Sequence, residues 1–368
     1  MGGKKPSFEK SSNISFKIAG RMVGYGQPSF IVAEISANHQ QKFKLAVKII
    51  EAVAKAGVDA VKIQTSTPDL LTLDSKAKPF IVKGENIPKI WSGKSLFNLY
   101  KNACTPWEWH ARLNEVAKKA GIILFSTPFG DEAVDYLEEM SVPCYKIASY
   151  EALDVPLLRK VAKTKKPVII SEGFYPVEDV EFSIQTLRDA GAEEIAVLHC
   201  LSQYSEKPRL EDANLLTLIE IKKRFGVVSG FSDNNGGIEI PIIAATMGAS
   251  IIEKHVTLRR RDGGLDASFS LEPRELEEMV KGIRRAEKAI GKIEYGQLTP
   301  EAKEAETFCR SLFIVKSVKK GTTLTTVNVR PIRPSDGLSP KYWDDIIGKR
   351  AASAITAGTP LSWDLIEK

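Results

Sequence analysis

Residues 30–65 read FIVAEISANHQQKFKLAVKIIEAVAKAGVDAVKIQT. An apolar run, Phe30–Ile35, ends in a polar loop, SANH (36–39). A stretch with apolar residues three and four apart follows (KLAVKIIEAVAKAG), and then a second apolar run, Ala60–Thr65. Strand pattern, helix pattern, strand pattern is what a parallel crossover unit requires.

The unit repeats along most of the chain. Further strand-like runs are Ile122–Thr127, Cys144–Ser149, Pro167–Ser171, Ile195–Cys200, Val227–Ser232 and Ser250–Val256. Helical patterns such as WHARLNEVAKKAG, PLLRKVAKT and IPIIAATMGA lie between them, and PRELEEMVKGIRRAEKAIG, opening at Pro and closing at Gly, follows the last. Eight such units between residues 29 and 290 predict a (β/α)8 barrel, an α/β TIM barrel. A doubly wound open sheet is the rival. No G-x-G-x-x-G follows the first strand, and eight units exceed the usual count of that sheet.

Outward from the barrel, ISFKIAGRMVG (14–24) reads as a short hairpin closing the barrel floor. Residues 1–28 are thus a tail and hairpin, 29–290 the barrel, and 291–306 a polar, proline-containing linker. Residues 307–368 are expected to form a small, mostly β domain.

Composition agrees with two globular domains. The 368 residues are 43% hydrophobic and 27% charged, with a net charge of +6, which excludes a disordered, collagen-like or disulfide-stapled chain. No apolar run approaches the roughly 18 residues that cross a bilayer. The N-terminus carries no apolar signal core, so a cytoplasmic protein is expected. MGGKKPS matches the loose myristoylation pattern and is read as a solvated tail. Cys104, Cys144, Cys200 and Cys309 have no C-x-x-C spacing and read as free thiols. The mild basic excess suits an anionic small substrate. Without a basic, aromatic-interleaved stripe, no nucleic acid is expected as partner, and no membrane.

The strand ends carry the chemistry, because barrel enzymes place their sites there. In order along the chain these ends hold Glu34; Lys62 and Gln64; Ser126 and Thr127; Lys146 and Ser149; Ser171 and Glu172; His199, then Ser202 and Tyr204; Ser232, Asp233 and Asn234; and Glu253, Lys254 and His255. Alternation puts Lys62 with Gln64, Ser232 with Asn234, and Glu253 with His255 on shared faces, and turns Lys254 toward the helices. Each residue alone has a bland reading: a snorkelling lysine, a satisfied Glu–His pair, a neutral packed His199, hydroxyls capping strand ends. Repetition at every strand end is what a solvated rim does not require. Lysines with hydroxyls make a cradle for phosphate and carboxylate, and a carboxylate–imidazole pair suits proton transfer or a divalent metal.

Together, FIVAEISANH, VKIQTS, LFSTPF, YKIAS-E, LHC-S-Y, GFSD, IIEKHVTL, DGGLDASFSLEP and RP-DGL resemble the sialic acid synthase family, in order from about residue 14 onward. SANH and DGGLDASFSLEP are most similar to its pseudaminic acid synthase branch. The resemblance implies a TIM barrel followed by an antifreeze-like SAF domain. It implies a homodimer in which each small domain reaches the partner's site. It also implies a transferase that condenses phosphoenolpyruvate with an open-chain N-acylated amino sugar, giving a nine-carbon 3-deoxy-2-keto (nonulosonic) acid and phosphate. By motif, Lys62, Lys146, Ser149, Ser171, Ser202, Tyr204 and Ser232 would hold phosphoenolpyruvate, with Thr127 beside the phosphate. Glu34 would act at the developing tetrahedral centre. Glu253, Gln64 and Asp266 would position the sugar, and Arg333 from the second subunit would contact its acyl group. The cofactor implied is Mn²⁺ or Mg²⁺.

The sequence departs from the family pattern twice. Asn234 stands where the family has a metal-binding His, leaving His255 as its partner ligand, so weaker metal binding is expected. Ser171-Glu172-Gly173-Phe174 replaces S-T-G-M; Glu172 either supplies the missing ligand or faces the helix layer. The alternatives to a pseudaminic acid synthase are an N-acetylneuraminate or legionaminate synthase, a catalytically impaired sugar- or phosphoenolpyruvate-binding relative, and a Schiff-base aldolase using Lys62 or Lys146.

Overall fold

The computed structural model describes residues 14–84, 87–296 and 299–367; the myristoylation-like start lies outside them. The chain divides into two compact units, Met1–Gly291 and Lys292–Lys368.

In the first unit, eight parallel strands close into a barrel: β3 (Phe30–Glu34), β4 (Ala60–Thr65), β5 (Ile123–Pro128), β6 (Tyr145–Ile147), β7 (Val168–Ser171), β8 (Ile195–Leu201), β9 (Val228–Asp233) and β10 (Ile251–His255). β10 pairs with β3, so the sheet has no edge. The strands are buried on both faces, as the near-continuous apolar runs required.

Alternation sorts the strand side chains. One set packs outward on the helices: Ile31, Ala33, Val61 and Ile63 lie with Ala46, Ile49, Ile50 and Val53 of the helix Phe43–Lys55. Each of these Ile and Val side chains contributes about 1.5–3 kcal/mol by leaving water. The other set fills the lower lumen: Phe30, Val32, Phe125, Ile169, Leu198 and Ile251 cluster with Phe16, Ile18 and Val23 of a hairpin, β1 (Ser15–Ile18) and β2 (Arg21–Gly24). That hairpin plugs the barrel floor. Gly230 keeps the lumen packed, since a Cβ there would lie 2.4 Å from Leu198. The last barrel helix, Pro273–Ile290, starts with a capping box between Glu272 and Glu275.

Between β4 and β5 the chain makes an insertion with short helices Pro68–Leu71 and Leu96–Ala103. The expected linker holds a helix as well, Pro300–Glu304, with Ala302 N donating to the Thr299 Oγ1 cap at 3.1 Å. Thr-Pro-Glu is a helix start, and a polar composition alone concealed it.

The second unit has its own core of Leu312, Ile314, Leu324, Val329, Ile346 and Leu361 around an antiparallel pair, β11 (Ser311–Ile314) and β12 (Val329–Ile332). Arg333 follows β12 and is exposed within this unit. The four cysteines are free, and no described helix is long and apolar enough to cross a membrane.

Candidate active site

Above the apolar floor the lumen becomes charged. In the parallel registers Glu34 lies level with Lys62 on one side and His255 on the other, and Ser232 lies level with Glu253. All five side chains therefore meet around one opening, into a cavity of about 420 Å³.

Lys62 pairs with Glu34, approaches Glu253 Oε1 at 3.7 Å and donates to Thr127 Oγ1 at 3.2 Å. Lys146 Nζ donates to Ser171 Oγ at 2.8 Å and lies 3.6 Å from Glu253 Oε1, which also accepts from Ser232 Oγ at 3.2 Å. Gln64 Nε2 donates to Glu34 Oε1 at 3.3 Å and to Ser36 Oγ at 3.1 Å. Ser36 in turn bonds Asp266, tying the β3 loop to the segment after β10.

Burial separates the protonation states. It raises the Glu34 carboxyl above the usual range despite Lys62 alongside. For Glu253, Lys146 and Lys62 outweigh burial and hold the carboxylate below its ordinary value. Burial opposes the charge on Lys62, but Glu253 and Glu34 outweigh it and keep that ammonium above its usual value. At Lys146 burial wins and the value falls. His255 is pushed down to about 3 by burial and then by Lys62, so its imidazole is neutral. Two carboxyls in one site thus shift in opposite directions, Glu34 up and Glu253 down.

The expected residues Glu34, Lys62, Gln64, Thr127, Lys146, Ser149, Ser171, Tyr204, Ser232, Asn234, Glu253, His255 and Asp266 all line this cavity. Ser202 does not: it sits behind, its Oγ 3.4 Å from the Cys200 thiol. Arg333 belongs to the second unit. His39 is buried in the loop wall with Nε2 3.1 Å from Thr105 Oγ1, and His199 faces the helices beside Phe231. Glu172 points away from the cavity and pairs with His199, so it does not replace the missing metal ligand.

One titratable lining residue escaped the sequence reading, whereas the aromatic stretch IPKIWSGKSLFNLYK (87–101) reads as a lid over the site. Glu151 lies in the one-turn helix Ser149–Glu151; its Oε2 has no hydrogen-bond partner among the described residues, and burial, opposed by Lys146, pushes it up to about 7. The signal was its place two residues after Ser149 in YKIAS-E. The insertion after β4 supplies an apolar wall of Val82, Trp91, Leu96 and Leu99. Trp91 is fixed by its Nε1 donating to Leu265 O at 2.9 Å and by edge contacts with Tyr204 and Phe269.

Among the described residues no group of three or more His, Cys, Asp or Glu side chains is placed to hold a metal ion. What the cavity offers is the neutral imidazole of His255, whose buried Nδ1 has no partner among the described residues, and the Asn234 amide. This donor pair fits a divalent cation only when substrate and water complete the coordination.

The sequence profile of the NeuB family matches residues 49–295, and that of the SAF domain residues 310–367. The chain is 41% identical to the pseudaminic acid synthase of Helicobacter pylori over 93% of its length and 99% of that protein's. It is 40% identical to the pseudaminic acid synthase of Campylobacter jejuni serotype O:23/36, over 90% and 95% of the two chains. Among solved structures, the N-acetylneuraminic acid synthetase of Leptospira borgpetersenii superposes with a TM-score of 0.68 at 30% identity, covering 80% of this chain and 95% of that one.

Proposed function

The chain belongs to the NeuB family, and we propose that it is a nonulosonic acid synthase of the pseudaminic type, condensing phosphoenolpyruvate with an open-chain N-acylated amino sugar. The observation that carries this reading is the buried Lys62–Glu34–Glu253–Lys146 cluster, ringed by Thr127, Ser149, Ser171 and Ser232 and open to one cavity. Two ammonium groups and four hydroxyls form a cradle for a small phosphorylated carboxylate.

Lys62 and Lys146 bind the phosphate and carboxylate of phosphoenolpyruvate, with Thr127, Ser149, Ser171 and Ser232 completing the hydrogen bonds. Ser202 supports this cradle from behind, and Tyr204 closes it against Trp91. Gln64, Glu253 and Asp266 orient the sugar, whose acyl groups face the apolar wall of Trp91, Leu96 and Leu99. The enol carbon C3 forms a bond to the aldehyde carbon of the sugar as the C=O π pair moves onto the aldehyde oxygen, which takes a proton to become a hydroxyl, and positive charge develops at C2. Water adds at C2, with Glu34 taking one of its protons and passing it to the new hydroxyl; the hemiketal then collapses to the 2-keto group, its remaining O–H proton leaving with phosphate as the C2–O bond breaks. Glu253 stays ionised and stabilises the charge at C2. A divalent cation held by His255 and Asn234 would supply Lewis-acid polarisation of the aldehyde oxygen. The two carboxylates keep Lys62 protonated, which suits electrostatic binding rather than a Schiff base. The homodimer, the reach of Arg333 into the partner's site and the cytoplasmic location belong to the same proposal.

The test is a panel of N-acylated hexosamines with phosphoenolpyruvate and Mn²⁺ or Mg²⁺, scored by phosphate release and by mass of the keto acid. One phosphate per keto acid, with both substrates required, supports the reading. Binding of phosphoenolpyruvate without turnover under any metal would instead identify the impaired relative that Asn234 in place of a histidine suggests.

A further inference from the structure

The pair Glu172–His199 has no part in the chemistry above, yet it is buried beside it. Glu172 follows β7 and His199 lies within β8, and neither lines the active-site cavity. Glu172 borders a small apolar space that Ile170, Val180, Ile184 and Val197 also line, with Tyr175 the other titratable residue there. A carboxylate in such surroundings is costly unless paired. Its partner is His199 Nδ1.

Proton counting makes the pair informative. His199 Nε2 lies 2.9 Å from the carbonyl oxygen of Ala213, which only accepts, so Nε2 carries a hydrogen. Nδ1 faces a carboxylate oxygen at hydrogen-bond contact, so a second proton lies between ring and carboxylate. The relay runs from the end of β7, through the ring on β8, to the far end of the loop 202–213. That loop carries Ser202 and Tyr204. Its near half is tied to the β9 end by Ser205 N donating to Asn235 Oδ1 at 3.0 Å and Gly236 N donating to Ser205 O at 2.8 Å. Its far half is held to the barrel by His199. Tyr204 adopts φ +52°, a left-handed backbone that a side chain tolerates only under outside constraint. The relay also fixes Gly173, next in chain to Glu172, where a Cβ would lie 2.9 Å from Ser149 Cβ and 3.3 Å from Ser202 Oγ.

We propose that Glu172 and His199 are positioning residues: their bonded pair, anchored on the Ala213 carbonyl, clamps the loop 202–213 and the Gly173 turn so that Ser149 and Tyr204 close on phosphoenolpyruvate, with Ser202 supporting them from behind. This rests on the synthase reading for the ligand only; the clamp itself is tested without substrate.

The experiment compares the full-length protein with Glu172→Ala and Glu172→Gln. Glutamine can donate its amide hydrogen to Nδ1 of a neutral ring whose Nε2–H stays on Ala213, so it keeps the clamp without the carboxylate. In E172A, amide hydrogen exchange across 202–213 accelerates about ten-fold. The KM for phosphoenolpyruvate rises roughly ten-fold, while kcat stays within about two-fold, as for lost uniform binding. E172Q restores both. Unchanged protection of 202–213 in E172A, or E172Q as defective as E172A, overturns the proposal. Should E172A not fold, the ¹⁵N resonances of the His199 ring in the unsubstituted protein decide. A hydrogen on Nε2 supports the clamp; a ring protonated only on Nδ1 contradicts it. Exchange and ring spectra need no turnover, so failure of the clamp is distinguishable from failure of the synthase reading.

Discussion

β9 and β10 bury charge on both faces, and the two faces differ. Outward, Asp233 and Lys254 meet at 2.6 Å; Lys254 also donates to Asn235 O, and Asn235 donates twice to the second Asp233 oxygen at 3.1 Å. Both charged groups are hydrogen-bonded among the described residues, and neither lines the active-site cavity. Inward, one residue along each strand, Ser232, Asn234, Glu253 and His255 open onto the cavity with Lys62 and Lys146, and His255 Nδ1 has no partner among the described residues. Burial of charge is common to both faces. Unspent hydrogen-bonding capacity beside an opening distinguishes the site from a structural pair.

The sharpest break in that comparison is functional. Lys146→Met should lower kcat/KM by roughly 10³-fold, about 4 kcal/mol of lost transition-state stabilisation, in phosphate-release assays of folded protein. A loss of only a few-fold would make the lumen another structural pair. The outer face should respond through stability. Asp233→Asn leaves a buried ammonium short of its counter-charge and should cost about 3 kcal/mol in urea unfolding, largely recovered in the Asp233→Asn/Lys254→Met double variant. Failure of the double variant to recover would mean that the pair does more than satisfy itself.

The two kinds of site also pull stability in opposite directions with pH. His39 and His110 are structural, bonded to Thr105 and Thr65, and burial pushes both down to about 4. The unfolded chain binds more protons there between about pH 4 and 6.5. Their contribution is complete above that window and is lost as pH falls through it, roughly 3 kcal/mol each. Glu151, in the cavity wall, is raised to about 7 and has the reverse sign. Its contribution is full below about pH 4.5 and is lost as pH rises toward 7. Urea midpoints should therefore fall less on acidification in His110→Gln, and rise at pH 8 in Glu151→Gln. The smallest effect concerns metal: Asn234→His should tighten Mn²⁺ binding about ten-fold by calorimetry, near 1.4 kcal/mol. Unchanged affinity would show that the asparagine already serves fully.

Much of this was legible before coordinates. Period-two alternation determines which side chains share a face, so Lys62 with Gln64 and Glu253 with His255 were placed inward and Lys254 outward from sequence. The eight crossovers gave the barrel because each strand run stood next to a helical stripe. Legibility failed where alternation stops. Glu151 sits in a one-turn helix beyond β6, Ser202 lies one step behind the rim, and Glu172 leaves its strand just where facing is no longer dictated. His199, one of several polar strand-end residues, packs outward because Cys200 takes the inward position on β8. The aromatic stretch 87–101 of the insertion reads as a cover over the site and does line it, but which of its side chains face the cavity depends on tertiary contacts with no local signature.

The central claim is that the inward charges are held in readiness for an enol phosphate while the outward pair is not. Calorimetric titration of phosphoenolpyruvate into the unsubstituted protein, Lys146→Met and Asp233→Asn/Lys254→Met tests it directly. The account predicts one site per chain, abolished by the first substitution and intact in the double variant. Binding that survives Lys146→Met, or disappears with the outer pair, would contradict it.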